Sequence, residues 1–217
     1  MHQTESLRRC LIAIALAMAL LAWPSAGDAQ LGGLLPPPSS TTASTIVGEA
    51  SAARVSVLGI LGTATTTALA DAGTLTTTNN ALDASTLAGG IPSTLSAETL
   101  SAATISWADQ VDSEASLGNL SMTVAGVGIT ADFLMAQASQ VLGAAGSGSS
   151  TITNLVINGT PIAVSGAPNQ AIWIPGGQVI INEQTISSTG TAVVNALHVA
   201  VTGVADVVIA SATAGIS

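Results

Sequence analysis

The chain has 217 residues, a net charge of −9 and only 7% charged side chains, where ordinary soluble proteins carry roughly 25%. Lys and Tyr are absent and there is a single Phe. With no Lys and three Arg, the chain is poor in the cations that displace counterions from phosphate, which argues against nucleic acid and anionic membrane surfaces as partners.

The chain opens with Arg8-Arg9, an apolar run from Leu11 to Ala22, and the small residues Gly27-Asp28-Ala29 before Gln30. A charged start, an apolar middle and a small-residue end predict a secretory signal peptide over 1–29, read as a signal helix. The run is too short for a membrane span, which takes about 20 residues, so none is expected after cleavage. The Arg pair also suits twin-arginine export, but the rest of the segment favours the general route. Cys10 leaves with the signal, so neither a disulfide nor a thiolate metal site is expected. Cleavage removes Glu5 and Asp28 together with Arg8 and Arg9, which leaves the net charge of −9 unchanged.

Residues 30–45 (QLGGLLPPPSSTTAST) read as a linker, with Pro36-Pro37-Pro38 as an extended spacer. An all-β domain is expected over 46–217, divisible into an Ala/Thr/Ser-rich half (46–145) and a C-terminal meander (146–217). In the first half, period-two alternation marks Arg54 to Leu58 and sets Leu120, Met122 and Val124 on one face. Thr63 to Ser85 has few large apolar groups and is expected to form loops and edge strands. Asp132 to Leu142 is the one place where a short helix competes.

The meander is read from short Ile/Val/Thr runs separated by Asn158-Gly159, Gly166-Ala167-Pro168-Asn169, Pro175-Gly176-Gly177, Ser188-Thr189-Gly190 and Thr202-Gly203. Asn-Gly tolerates the positive φ angles of a two-residue hairpin, so neighbours should be antiparallel. Strict alternation from Val193 to Val201 puts Val193, Leu197, Val199 and Val201 on one face with Asn195 among them. It puts His198 on the other, with Val194, Ala196 and Ala200. A weak repetition runs through the chain. Glu49-Ala50-Ser51 returns as Glu114-Ala115-Ser116, Asn119-Leu120 as Asn154-Leu155, and Leu95-Ser96-Ala97-Glu98 as Ile129-Thr130-Ala131-Asp132. The expected fold is an antiparallel β-sandwich or barrel-like meander, with a β-solenoid as the alternative.

Chemistry is sparse. His198 is the only histidine after the signal, and no Gly-x-Ser-x-Gly elbow supplies a nucleophile for it, so no catalytic residue is expected. Asp109, Asp112 and Glu114 are weak calcium candidates that lack an EF-hand register. Asp109 and Glu114 near Trp107 are also the nearest approach to a glycosidase pair, with a poor aromatic platform. Glu183 reads as a hydrogen-bonding residue at a turn. One His without Cys excludes the usual zinc sets, and no glycine-rich stretch is followed by the Lys of a phosphate loop. No cofactor is expected. A membrane barrel is disfavoured by the missing aromatic girdles, while low charge and Thr/Val/Ile runs leave self-association open.

Several motifs in the last 75 or so residues stand in a fixed order: Asn158-Gly159, Val164 to Gln170 (VSGAPNQ), Pro175-Gly176-Gly177, Asn182-Glu183-Gln184, Val194 to Val199 (VNALHV) and Ala205 to Ala212. This order resembles the choice-of-anchor P family of bacterial exported surface proteins. The resemblance implies export and a surface location without a defined molecular role. It marks Asn158, Gly159, Asn169, Gly176, Asn182, Asn195 and His198 as structural residues that cap turns or bridge strands, with a ligand-binding polar network as the alternative. The expected function is that of an exported non-enzymatic structural, surface or matrix protein. The runner-up is an extracellular ligand- or carbohydrate-binding module, calcium-stabilised in one version, with an unidentified extracellular or cell-surface partner.

Overall fold

Left-handed backbone punctuates the chain. In a computed structural model that describes residues 45–58 and 63–217, eleven non-glycine residues have φ between 45° and 61°, and Asn79, Asn119, Asn154, Asn158, Asn169 and Asn182 are among them. Asn tolerates this region because its short amide bonds the local backbone. The expected signal peptide and all of the expected linker except Thr45 lie outside the described residues.

Thirteen strands result: β1 (Ile46–Leu58), β2 (Ala64–Leu75), β3 (Asn80–Ile91), β4 (Leu95–Ser106), β5 (Gln110–Val124), β6 (Val127–Val141), β7 (Ser147–Thr153), β8 (Val156–Ile157), β9 (Thr160–Pro161), β10 (Gln170–Ile174), β11 (Gly177–Ile186), β12 (Ala192–Val201) and β13 (Ala205–Ile216). The first sheet has the order β10-β11-β12-β13-β1-β2. The second runs β3-β4-β5-β6-β8-β9, with β7 also paired to β6. All pairings are antiparallel. The sheets pack face to face as a β-sandwich, β1, β12 and β13 lying over β4 to β7. The antiparallel ladders replace the solenoid alternative, and neither sheet closes into a barrel.

One expectation is corrected here. Asp132 to Leu142 is no helix: nearly all of it belongs to β6, where Leu134, Ala136, Ala138 and Gln140 are buried at period two. Thr63 to Ser85 forms the expected edge strands, β2 at one border of the first sheet and the start of β3 at a border of the second, with more strand and less loop than expected. The proposed halves also interleave. β1 pairs with β13 from Ile46↔Ile216 onward, and Thr45 and Ser217 exchange backbone hydrogen bonds of 2.9 and 3.0 Å.

The core consists of small and branched apolar groups, with Leu100, Leu117, Ile129, Leu134, Ile181, Leu197 and Ile209 fully buried among many alanines. Small side chains bring the sheets close. A Cβ on Gly148 of β7 would overlap the Val194 side chain of β12. Several polar groups inside are satisfied across the sheets, whereas Ser51 Oγ and Asn195 Oδ1 are buried without a hydrogen-bond partner. Ser113 Oγ donates to the Thr213 carbonyl (2.6 Å). The Gln140 amide donates to the carbonyls of Ala144 and Thr189 (both 3.1 Å) and accepts from the Ile216 N–H (2.9 Å).

One feature of the strands positions the site. Across the first sheet, Glu183↔Asn195↔Ser211↔Ser51↔Asp71 form one row of partners and Ile181↔Leu197↔Ile209↔Ala53↔Leu69 another. Between them lies a single row, Asn182, Ala196, Ala210, Ala52 and Ala70, with left-handed backbone at Asn182, Ala210 and Ala70. There the in-out alternation slips by one residue. In β12 the buried residues are Ala192, Val194 and Ala196, then Leu197, Val199 and Val201. β1 switches between Ala52 and Ala53, and β13 between Ile209 and Ala210.

Candidate functional site: a histidine between two carboxylates

The pleat switch brings the site together. Strict alternation sends Asn195 and His198 to opposite faces of β12, but the slip between Ala196 and Leu197 returns both to the outer face. Glu183, on β11 just past the same row, lies beside them, and Asp206 follows on β13.

His198 Nδ1 lies 2.9 and 3.0 Å from the two Glu183 oxygens, and Nε2 lies 2.9 Å from Asp206 Oδ2. A neutral imidazole has one N–H and can donate to only one of these carboxylates. Donation to both requires the doubly protonated ring. The hydrogen bond to Glu183 dominates, and with Asp206 it outweighs burial and raises the His198 pKa from 6.5 to about 9. The same bond holds Glu183 below its ordinary value, helped by Asn195 Nδ2 donating at 2.6 Å and opposed by burial. The His198 and Glu183 side chains are 18% and 23% exposed, against 57% for Asp206, so the inner pair is the stronger arm.

In the doubly protonated ring both nitrogens donate, which leaves no lone pair for a further proton or a metal ion. No serine or threonine hydroxyl among the described residues is bonded to the ring, whose partners are the two carboxylates. Among the described residues, no group of three or more His, Cys, Asp and Glu is placed to hold a metal.

The other expected residues are spread out. Asp109 is exposed in the β4–β5 turn, where its carbonyl accepts the Leu142 N–H (2.7 Å). The Asp112 carboxylate takes Gln110 Nε2 (2.9 and 3.0 Å), while that of Glu114 takes Gln137 Nε2 (2.6 Å). The Asp112 and Glu114 carboxylates have separate partners and share none.

The motif asparagines are turn and loop fasteners. Asn158 and Gly159 (φ 49° and 76°) make the β8–β9 hairpin turn, and Asn158 Oδ1 accepts the Gly128 N–H (2.9 Å). Asn169 exchanges hydrogen bonds with the Gln184 backbone through its side chain, accepting at 2.9 Å and donating at 3.3 Å. Asn182, left-handed and buried, donates to the Gly166 carbonyl (3.0 Å) and accepts from Gln184 Nε2 (2.8 Å). Gln170 donates to the Ala163 carbonyl (2.9 Å) and accepts from the Ser165 N–H (2.8 Å). Together they pin the 162–169 loop to β11. Gly176 turns β10 into β11 at φ 77°.

Sequence reasoning read Glu183 as a hydrogen-bonding residue at a turn; it does hydrogen-bond, but from inside β11, and Asp206 drew no notice beyond its motif. Only the spacing Asn195/His198 with a left-handed Asn182 signalled them, and that signal needs the switch to be known. Trp173 was also passed over; it is 80% exposed on the outer face of β10.

No family model matches the chain, and neither a curated protein nor a solved structure matches it.

Proposed function

We propose that this chain is exported and acts as a non-enzymatic structural component of a surface or matrix. The observation that carries the reading is the clamped His198. The one histidine among the described residues uses both ring nitrogens to join β11, β12 and β13, so the most chemistry-capable cluster is spent on holding the sheet together. The charged, apolar and small-residue succession of the first 29 residues supports export, and so does a motif order that resembles that of choice-of-anchor proteins. Cell fractionation with N-terminal sequencing tests it. The expected result is a chain outside the cytoplasm that begins near Gln30, inactive on broad hydrolase panels. A cytoplasmic chain with 1–29 intact, or turnover lost in His198→Ala, contradicts it.

A second reading, a saccharide-binding module, is favoured by Trp173. It shares a cross-strand row with Gln178, Ala200 and Asp206 on the outer face of the first sheet. An exposed indole beside the Gln178 amide, with the small Ala200 next along the row, suits the apolar face and hydroxyls of a neutral sugar. Retention on insoluble polysaccharide that Trp173→Ala abolishes supports this reading, and equal retention of both proteins removes it.

A further inference from the structure

Charge is divided unequally between the two outer faces of the sandwich. Between Arg54 and His198 the sequence has no Lys, Arg or His. Both of those cations belong to the first sheet, where they hold Asp71, Glu183 and Asp206. The outer face of the second sheet carries Asp83, Glu98, Asp112, Glu114 and Asp132, spread over β3 to β6. Among the described residues none of these five meets a cation.

Four of the five carboxylates are nevertheless held in place. Asn119 Nδ2 donates to Glu98 and Asn154 Nδ2 to Asp132 (2.7 Å each), Gln137 Nε2 to Glu114 (2.6 Å) and Gln110 Nε2 to Asp112 (2.9 and 3.0 Å). A neutral amide orients a carboxylate without cancelling its charge, so an arriving cation meets oxygens already positioned. Apolar groups are exposed among them. Phe133 is 38% exposed, and a pleat switch sets it beside Asp132 on the outer face of β6, between buried Ala131 and Leu134. Its cross-strand row runs through Gly118, which adds no side chain, to Glu98. Ile105, 40% exposed, pairs with Asp112. Aromatic and aliphatic surface next to carboxylates matches the apolar stems and charged ends of Arg and Lys.

We infer that this face docks an extended basic segment of another protein, with Arg or Lys at alternate positions. Asp112 and Glu114 lie two residues apart on one face of β5, alternating with buried Val111, Ser113 and Ala115. That separation, about 7 Å, is also the spacing of alternate side chains in an extended chain. Charge selects the occupant. A second copy brings the same acids and, among the described residues, only Arg54 and His198, both already paired. No three of the described acids are placed to share a metal ion. The second sheet carries this docking by itself, whether or not the export and saccharide readings hold.

Fluorescence anisotropy of a labelled Arg-Ser repeat peptide, titrated with the purified full chain at low salt, tests it. The expected result is saturable binding that weakens as salt rises. Glu98→Gln and Glu114→Gln, which keep an acceptor for their amide partners, should each raise the dissociation constant by about threefold. Phe133→Leu, which changes no charge, should raise it by about twofold. Glu49→Gln, the same loss of charge on the first sheet, should leave it unchanged, with circular dichroism reporting the same fold throughout. If a second-sheet substitution loses the β spectrum, exposed Asp83→Asn is read in its place. A peptide that stays unbound overturns the inference, whether or not calcium stabilises the chain. So does an equal loss with Glu49→Gln, which marks attraction to net charge alone, or a dissociation constant indifferent to the second-sheet substitutions.

Discussion

Asn195 and His198 lie three residues apart in one strand, yet both donate to the carboxylate of Glu183 (2.6 and 2.9 Å). In regular strand an odd separation places side chains on opposite faces. The switch between Ala196 and Leu197 puts them on one, and the charged clamp depends on it.

Stability should therefore depend on pH in a defined sense. The His198 pKa is raised in the folded chain, so its contribution is complete below 6.5 and is lost as pH rises through about 9. Glu183 is lowered, so its contribution is present above 4.5 and is lost as pH falls through its folded value. The clamp should be strongest from about pH 4.5 to 6.5. On the alkaline side it should weaken by about 2–3 kcal/mol, the exposed Asp206 arm contributing least. Urea titrations across pH check this: His198→Gln should flatten the alkaline limb, and an unchanged limb contradicts the assignment.

Gly148 should be intolerant of any side chain. Its Cβ would overlap Val194 across the sandwich and lie 2.9 Å from the Gln137 carbonyl. Gly148→Ala is expected to cost about 1–3 kcal/mol through overpacking. Val194→Ala in the same chain should recover part of that loss, and a double-mutant cycle shows whether the two effects couple.

Gln140 is a buried fastener whose side-chain amide bonds three backbone groups. Gln140→Leu keeps volume but strands the Ala144 and Thr189 carbonyls and the Ile216 N–H. A loss of about 3 kcal/mol or more is expected from the unsatisfied groups. Hydrogen exchange at Ile216 should rise well before global unfolding, and protection equal to wild type would rule the network out as a fastener.

Most of the fold was legible because turn chemistry is local. Asn158-Gly159 and Pro175-Gly176-Gly177 state their geometry in adjacent residues, and Leu120, Met122 and Val124 alternate as strand residues do. The internal repetition was also visible, but its meaning was structural in a way period alone does not tell. Glu49-Ala50-Ser51 and Glu114-Ala115-Ser116 each precede a pleat switch, at Ala52/Ala53 and at Leu117/Gly118. Asn119 donates to Glu98 and Asn154 to Asp132 (2.7 Å each), which repeats one amide–carboxylate brace. The candidate site was illegible for the same reason. A one-residue slip in β12 reverses every facing rule beyond it, and the slip depends on Asn182 and Ala210 in neighbouring strands.

The most direct measurement of the central claim is a nitrogen-15 NMR titration of the His198 ring in the folded chain. The expected result is an imidazolium with both nitrogens protonated that loses its proton near pH 9. A ring that titrates near or below 6.5, with one nitrogen free to accept a proton at neutral pH, would make His198 an available base and contradict its role as a charged brace.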